Sequence, residues 1–348
     1  MKRFILLSMA MVIFSCTSSK QAGDFHIRWL RQSSGTDASL RGLCTVSDRV
    51  AWASGSRGTI LRTTDGGKSW QDLPSPHQAA LDFRDIQAFD ENTALILSAG
   101  QPARIYKTTD GGNVWTNTYT DPNTASFYNA MAFWDERKGI ATSDPVEGRF
   151  LLIQTTDGGN SWGRVPPENI PEPLEGEAGF AASGTCIAVW EETHAWLGMG
   201  GPAARLFRST DRGWTWSVAS TPVLSGRPSA GIFSVAFLDS KNGVIVGGDY
   251  QDPDGTKGNA AYTTDSGRTW LPADTSPPSG FRSCVAHLPG TTSALLAVGS
   301  NGSDLSVDLG KTWTRLDTTG YHVVSFPETG DTGWAAGAQG RIAKIIIE

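Results

Sequence analysis

An aspartate recurs in six octets of this 348-residue chain, at Asp65, Asp110, Asp157, Asp211, Asp265 and Asp308. Each has Ser or Thr two residues before it, glycine two residues after it and tryptophan five residues after it, the pattern [S/T]-x-D-x-G-x-x-W. A carboxylate repeated in this way could act in catalysis, bind a cation or accept hydrogen bonds within its own turn. The flanking residues favour the last. Asp accepts backbone N–H groups of a tight turn, glycine supplies a conformation that a Cβ would penalise, and tryptophan begins the next strand. All six are therefore read as structural, with no catalytic or metal-binding role.

A second set of polar residues lies outside the octets and is harder to explain as turn chemistry. It comprises Arg41, Arg84, Tyr128, Arg282 and His322, together with Asp144, Glu147, Arg149, Glu175, Glu177, Arg205, Asp249, Tyr250 and Asp304. If the fold brings them together they make a pocket of mixed charge suited to a ligand or peptide.

The elements that would do so follow from the repeat. The octet aspartates are spaced by 43 to 54 residues. Each octet is preceded by short apolar runs with strand-like alternation, so the period is that of a four-stranded propeller blade. In the first repeat the strands are expected at 42–46, 50–54, 59–63 and 70–73. Three more strands are expected at 321–326, 333–338 and 341–347, with no octet after them. The missing fourth strand is supplied by the lone segment Phe25-His-Ile-Arg-Trp-Leu-Arg-Gln at the other end. The fold expected is thus all-β: a seven-bladed β-propeller over 25–348, closed by pairing the chain ends so that no sheet edge is left open. Blade connectivity puts the octets and the a–b turns on one face. The b–c turns and the crossings between blades lie on the other, where the irregular insertions 166–183, 222–231 and 249–259 also fall. The second set of polar residues maps to that opposite face, with Arg41, Arg84, Tyr128, Arg282 and His322 around the mouth of the central channel.

Composition agrees. Forty glycines, 13 tryptophans and 18% charged residues suit short strands and tight turns, and a net charge of −6 argues against nucleic acid as a partner. No cofactor is expected, since there is no Gly-x-Gly-x-x-Gly between a strand and a helix and no Cys-x-x-Cys. No metal is expected either, because His26, His77, His194, His287 and His322 are scattered.

Residues 1–16 have a basic start, an apolar run and Ile13-Phe14-Ser15-Cys16, which reads as a secretory signal peptide. Its end resembles the lipobox of bacterial lipoproteins, which implies lipidation at Cys16; residues 17–24 read as a polar tether. Cys44, Cys186 and Cys284 then remain, an odd number, and are read as buried small hydrophobes.

The octets are those called Asp-boxes or BNR repeats. With the matching runs WASGSRGTI at 52–60 and WAAGAQGRI at 334–342, the chain resembles the seven-bladed BNR propellers of the photosystem II assembly and stability factor family. The resemblance implies a non-enzymatic assembly protein that holds a partner on one face, in some members through an arginine-rich patch, for which Arg41, Arg84 and Arg282 are the nearest candidates. Asp-boxes also occur in sialidases and xyloglucanases, so a glycoside hydrolase is the alternative, with Asp144, Glu177, Asp249 and Asp304 as candidate acids. The sialidase Arg-Ile-Pro signature is absent. The expectation is a monomeric binding platform, exported and lipid-anchored in the periplasm or outer membrane of a bacterium. Its partner would be a protein or glycan, bound opposite the boxes.

Overall fold

The computed structural model describes residues 25–76, 81–273 and 275–348. The leader, Cys16 and the tether lie outside the described residues. Among those described, seven antiparallel sheets form the ring, each running a-b-c-d from the channel outward, and in blade 5 the short strand Gly200–Gly201 adds a fifth beside the a-strand. No helix among them is long and apolar enough to cross a membrane.

Blade 1 consists of Leu40–Thr45, Ala51–Gly55, Ile60–Thr63 and Gln71–Asp72, within two residues of the expected starts. Blade 7 takes Val323–Ser325, Thr332–Ala336 and Ile342–Ile347 from the C-terminus and Ile27–Gln32 from the N-terminus. The two ends pair from Ile27↔Ile347 to Gln32↔Ile342. The side chain of Gln32 adds a second tie, since its Oε1 accepts from the indole N–H groups of Trp334 (3.1 Å) in blade 7 and Trp70 (2.9 Å) in blade 1. Trp29 stacks on Tyr321 at 5.1 Å.

The boxes fold as the sequence implies. In the first, Asp65 Oδ1 accepts the Ser69 N–H and Oδ2 the Ser69 hydroxyl, while Thr63 donates to Asp65 and accepts the Gly67 N–H. The same bonds recur around Asp157. These donors, the side-chain hydroxyl first, hold the carboxyls of Asp65 and Asp157 down to about 2. The box glycine has two reasons to be glycine. Gly159 has φ +79°, and a Cβ on it would stand 2.3 Å from Leu95 in the preceding blade. Trp216, Trp270 and Trp313 are buried and donate back to the carbonyl of their own box glycine.

The core lies between blades, where strand-b residues such as Trp52, Trp196 and Trp334 are fully buried. Cys186 and Cys284 are buried and Cys44 is half-buried, and all three are free thiols. Around the channel, side chains staple neighbouring a-strands. Cys44 bonds to Ala88, Asp85 to Met131, Thr185 to Ser234, and Thr45 to Ser325.

Candidate functional site

Strand order and antiparallel pairing put the boxed turns at one end of the ring and the three insertions at the other. At the insertion end a cavity of about 380 Å³ opens at the channel mouth. Its wall is polar on one side, with the cations Arg41 and Arg84 beside His322, and aromatic on the other, with Phe127, Phe180, Phe233, Phe281 and Tyr250.

Local strand geometry decides which residues arrive there. The a-strands of blades 1, 2, 3 and 5 each carry an irregularity at the same level, between Leu40 and Gly42, Phe83 and Asp85, Tyr128 and Ala130, and Ile232 and Ser234. The residues left out of register are Arg41, Arg84, Asn129 and Phe233. A bulge re-aims one side chain, and three of these four line the cavity. His322 and Ser283, at the equivalent level of blades 7 and 6, also line it. The residues one position earlier, Leu40, Phe83, Tyr128, Ile232, Arg282 and Tyr321, are all buried.

That phase corrects several placements expected from sequence. Tyr128 is not at the mouth; its hydroxyl donates to Asp121 and meets that of Tyr119, and burial first, then Tyr119, raises its pKa. Arg282 is fully buried and bonds to Asp304, Asn301, Ser279 and the Phe281 carbonyl. Arg205 is tied to buried Glu177. Glu147 and Arg149 face a separate hollow on the rim of blade 3, beside Arg164 and Pro166. Arg41, Arg84, Tyr250 and His322 do reach the cavity.

The candidate acids are engaged. Glu177 pairs with Arg205, Asp249 with Arg227, and Asp304 with Arg282. Asp144 accepts from Asn129 and the Gly179 N–H, and burial raises its pKa. All four are thus engaged by partners within the chain, three of them by an arginine.

The electrostatics of the mouth are unbalanced. Arg84 pairs with Asp82 at 2.6 Å. Arg41 has no carboxylate partner among the described residues and makes one long bond, 3.4 Å, to the Ala182 carbonyl. Burial, then the neighbouring Arg84, pushes Arg41 down to about 10. Burial, then Arg41, holds His322 down to about 4, so its ring is neutral at pH 7 and its Nδ1–H donates to the Leu40 carbonyl at 3.1 Å. A half-buried guanidinium without an anion is costly, and a ligand carboxylate would relieve it. Among the described residues no three His, Cys, Asp or Glu side chains are arranged to hold a metal ion.

Of the aromatic half of the site, sequence reasoning found Tyr250 and missed the four phenylalanines. Phe180 stacks on Phe233 at 3.8 Å, and Phe281 and Tyr250 meet Phe233 edge-on at 4.7 and 6.3 Å. Phe180 sits in an insertion and carries no periodic signal. Phe233 reads as an ordinary strand residue until the bulge turns it. Asp85 was also missed. It is buried, accepts the N–H groups of Ile86 and Met131, and is raised by burial to about 7.

Residues 21–125 match the family described as photosynthesis system II assembly factor YCF48. Among solved structures, the chain is similar to one titled YCF48 bound to D1 peptide, with 16% identity, a TM-score of 0.66, and coverage of 92% of this chain and 96% of that one. It is similar to YCF48 from Cyanidioschyzon merolae, with 16% identity, a TM-score of 0.64, and 91% and 98% covered. A third is the GH74 xyloglucanase from Xanthomonas campestris, with 16% identity, a TM-score of 0.63, and 92% of this chain but 53% of that one covered. No curated protein matches. At this identity the structural likeness is one of fold, the seven-bladed propeller.

Proposed function

We propose that the protein is a non-enzymatic binding platform of the cell envelope that captures a partner protein at the channel mouth, on the face opposite the Asp-boxes. The observation that carries this is Arg41, a half-buried guanidinium with no carboxylate partner among the described residues, set across a cavity from an aromatic wall. An extended peptide supplies both a carboxylate for the cation and a side chain for the aromatic slot. The similar propeller titled as bound to a D1 peptide supports a protein partner as the class. The lipid anchor at Cys16 belongs to the same reading, and would hold the platform at a membrane surface.

Site-specific photo-crosslinking in intact cells tests the reading. A crosslinker at Tyr250, which is 51% exposed beside the cavity, should trap a protein partner, and Arg41→Ala should abolish the adduct. A crosslinker at Val114, 63% exposed in a box, should trap none. Equal trapping at both positions, or trapping indifferent to Arg41, would reject the site. Cys16→Ser should move the protein from the membrane fraction to the soluble fraction.

A further inference from the structure

The crossing from blade 3 to blade 4 is far longer than the step between blades requires, and its last part runs along the channel mouth. Residues 179–182 line the cavity from within it. The Ala181 carbonyl accepts Arg84 Nη1 at 3.0 Å and the Ala182 carbonyl accepts Arg41 Nη1. Phe180 lies flat on Phe233, 3.8 Å between ring centroids. This stretch therefore makes, from inside the chain, the contacts that both halves of the site offer: carbonyl oxygens on the two arginines and an aromatic ring in the aromatic slot.

We propose that residues 178–184 are an internal occupant of the site, a strap whose Phe180 and two carbonyls a partner peptide must displace. This rests on the platform reading above. The strap is anchored near both ends, where the Gly179 N–H donates to Asp144 and the Ser183 hydroxyl to the Ser283 carbonyl, so displacement concerns its middle, Phe180 to Ala182. Residues 180–182 belong to no strand, and a bridge joins Ala178 to Gly200 at one end. Gly176 (φ +78°), with open space where a Cβ would be, precedes the strap, and Gly184 (φ +71°), its last residue, turns the backbone tightly against Asp85; both turn through a region that favours glycine. The Phe180 ring is only half-buried, so its slot is reachable from solvent. The ligand class follows from the strap: an extended segment with an aromatic residue followed by small residues, whose carbonyls or carboxylate take the guanidinium donors. While the strap is docked, only the fraction of molecules with the site open binds, which lowers the apparent affinity by that fraction.

The test uses the strap's own sequence as probe. A capped, fluorescently labelled peptide, Glu-Ala-Gly-Phe-Ala-Ala-Ser-Gly, is titrated against the full chain and Phe180→Ala, read by anisotropy. The variant, with its own ring gone, should bind about tenfold more tightly or better than the native protein. Adding Arg41→Ala to the variant should remove that gain. Equal binding to native and variant, or no binding to either, overturns the strap as an occupant. Hydrogen exchange supplies an independent measurement: Arg84→Ala should speed exchange across 179–184 while leaving the strands of blade 3 unchanged, and unchanged exchange in the strap would count against the proposal. Failure here is separable from failure of the platform reading, which stands if Arg41→Ala still abolishes partner crosslinking at Tyr250.

Discussion

The two faces of the ring use charge in opposite ways. On the boxed face each aspartate is surrounded by donors from its own turn, and Asp65 and Asp157 are held at about 2, so their charge serves the bend and nothing remains to recruit a ligand. At the channel mouth Arg41 and Arg84 lie side by side, and the nearby carboxylate, Asp82, is ion-paired with Arg84 and not with Arg41. A satisfied polar group stabilises locally, whereas an unsatisfied one is costly until a partner arrives. The same distinction separates Arg282 from Arg41 on a single face: the first is locked to Asp304, the second makes no ion pair.

Breaking the locked pair should have the largest effect. Arg282→Ala leaves Asp304 buried without its cation and with only the Ser279 N–H to accept, and thermal or denaturant unfolding should show a loss of about 3–5 kcal/mol. A loss below about 1 kcal/mol would mean that water already reaches the pair.

The next effect is a pH dependence. Asp85 is raised to about 7, so between about pH 4 and 7 the folded state holds more protons than the unfolded chain, and its contribution to stability falls as pH rises. His322, held down to about 4, works the other way over about pH 4 to 6.5, because there the unfolded chain holds the extra proton. Asp85→Asn should therefore gain stability relative to the native protein near pH 8 compared with near pH 4, by up to roughly 4 kcal/mol. Any cost of the amide itself appears at both pH values and cancels in that difference. A pH-independent difference between the two proteins would show that Asp85 is not buried as the fold places it.

A smaller change is expected on the boxed face. Asp157→Ala removes an acceptor shared by the backbone and hydroxyl of Ser161 and should cost about 1–3 kcal/mol, measured by unfolding, without altering partner crosslinking at Tyr250. The smallest change in stability belongs to Arg41→Gln, which removes a half-buried charge that has no ion pair and should be neutral or stabilising by under about 1 kcal/mol, yet it should abolish that crosslinking. If Asp157→Ala lost the partner and Arg41→Gln kept it, the assignment of the two faces would be reversed.

Much of this molecule is legible in its sequence because its chemistry is local. Each box carries its own donors, acceptors and glycine within eight residues, so six copies at blade spacing set the number of turns. The echo of Trp52 in Trp334 and the spare strand at Ile27–Gln32 indicate how the ring closes. The insertions could be assigned to a face because antiparallel strands alternate direction. The site was legible only in part. Arg41, Arg84, Tyr250 and His322 reach the cavity, while Tyr128 and Arg282, also picked from the starts of inner strands, turn inward.

What the sequence determined by itself, then, is the repeat, the turns, the blade count and the closure, all set by neighbours along the chain. What only the tertiary structure decided is which side chains share the channel mouth. Along a strand the side chains alternate faces, so one out-of-register residue reverses them. Arg41 and Arg282 stand one position apart in equivalent strands and meet solvent and core respectively. The aromatic wall is a still longer-range matter, for Phe180 and Phe233 come together only when the blade 3–4 crossing is laid against the inner strand of blade 5.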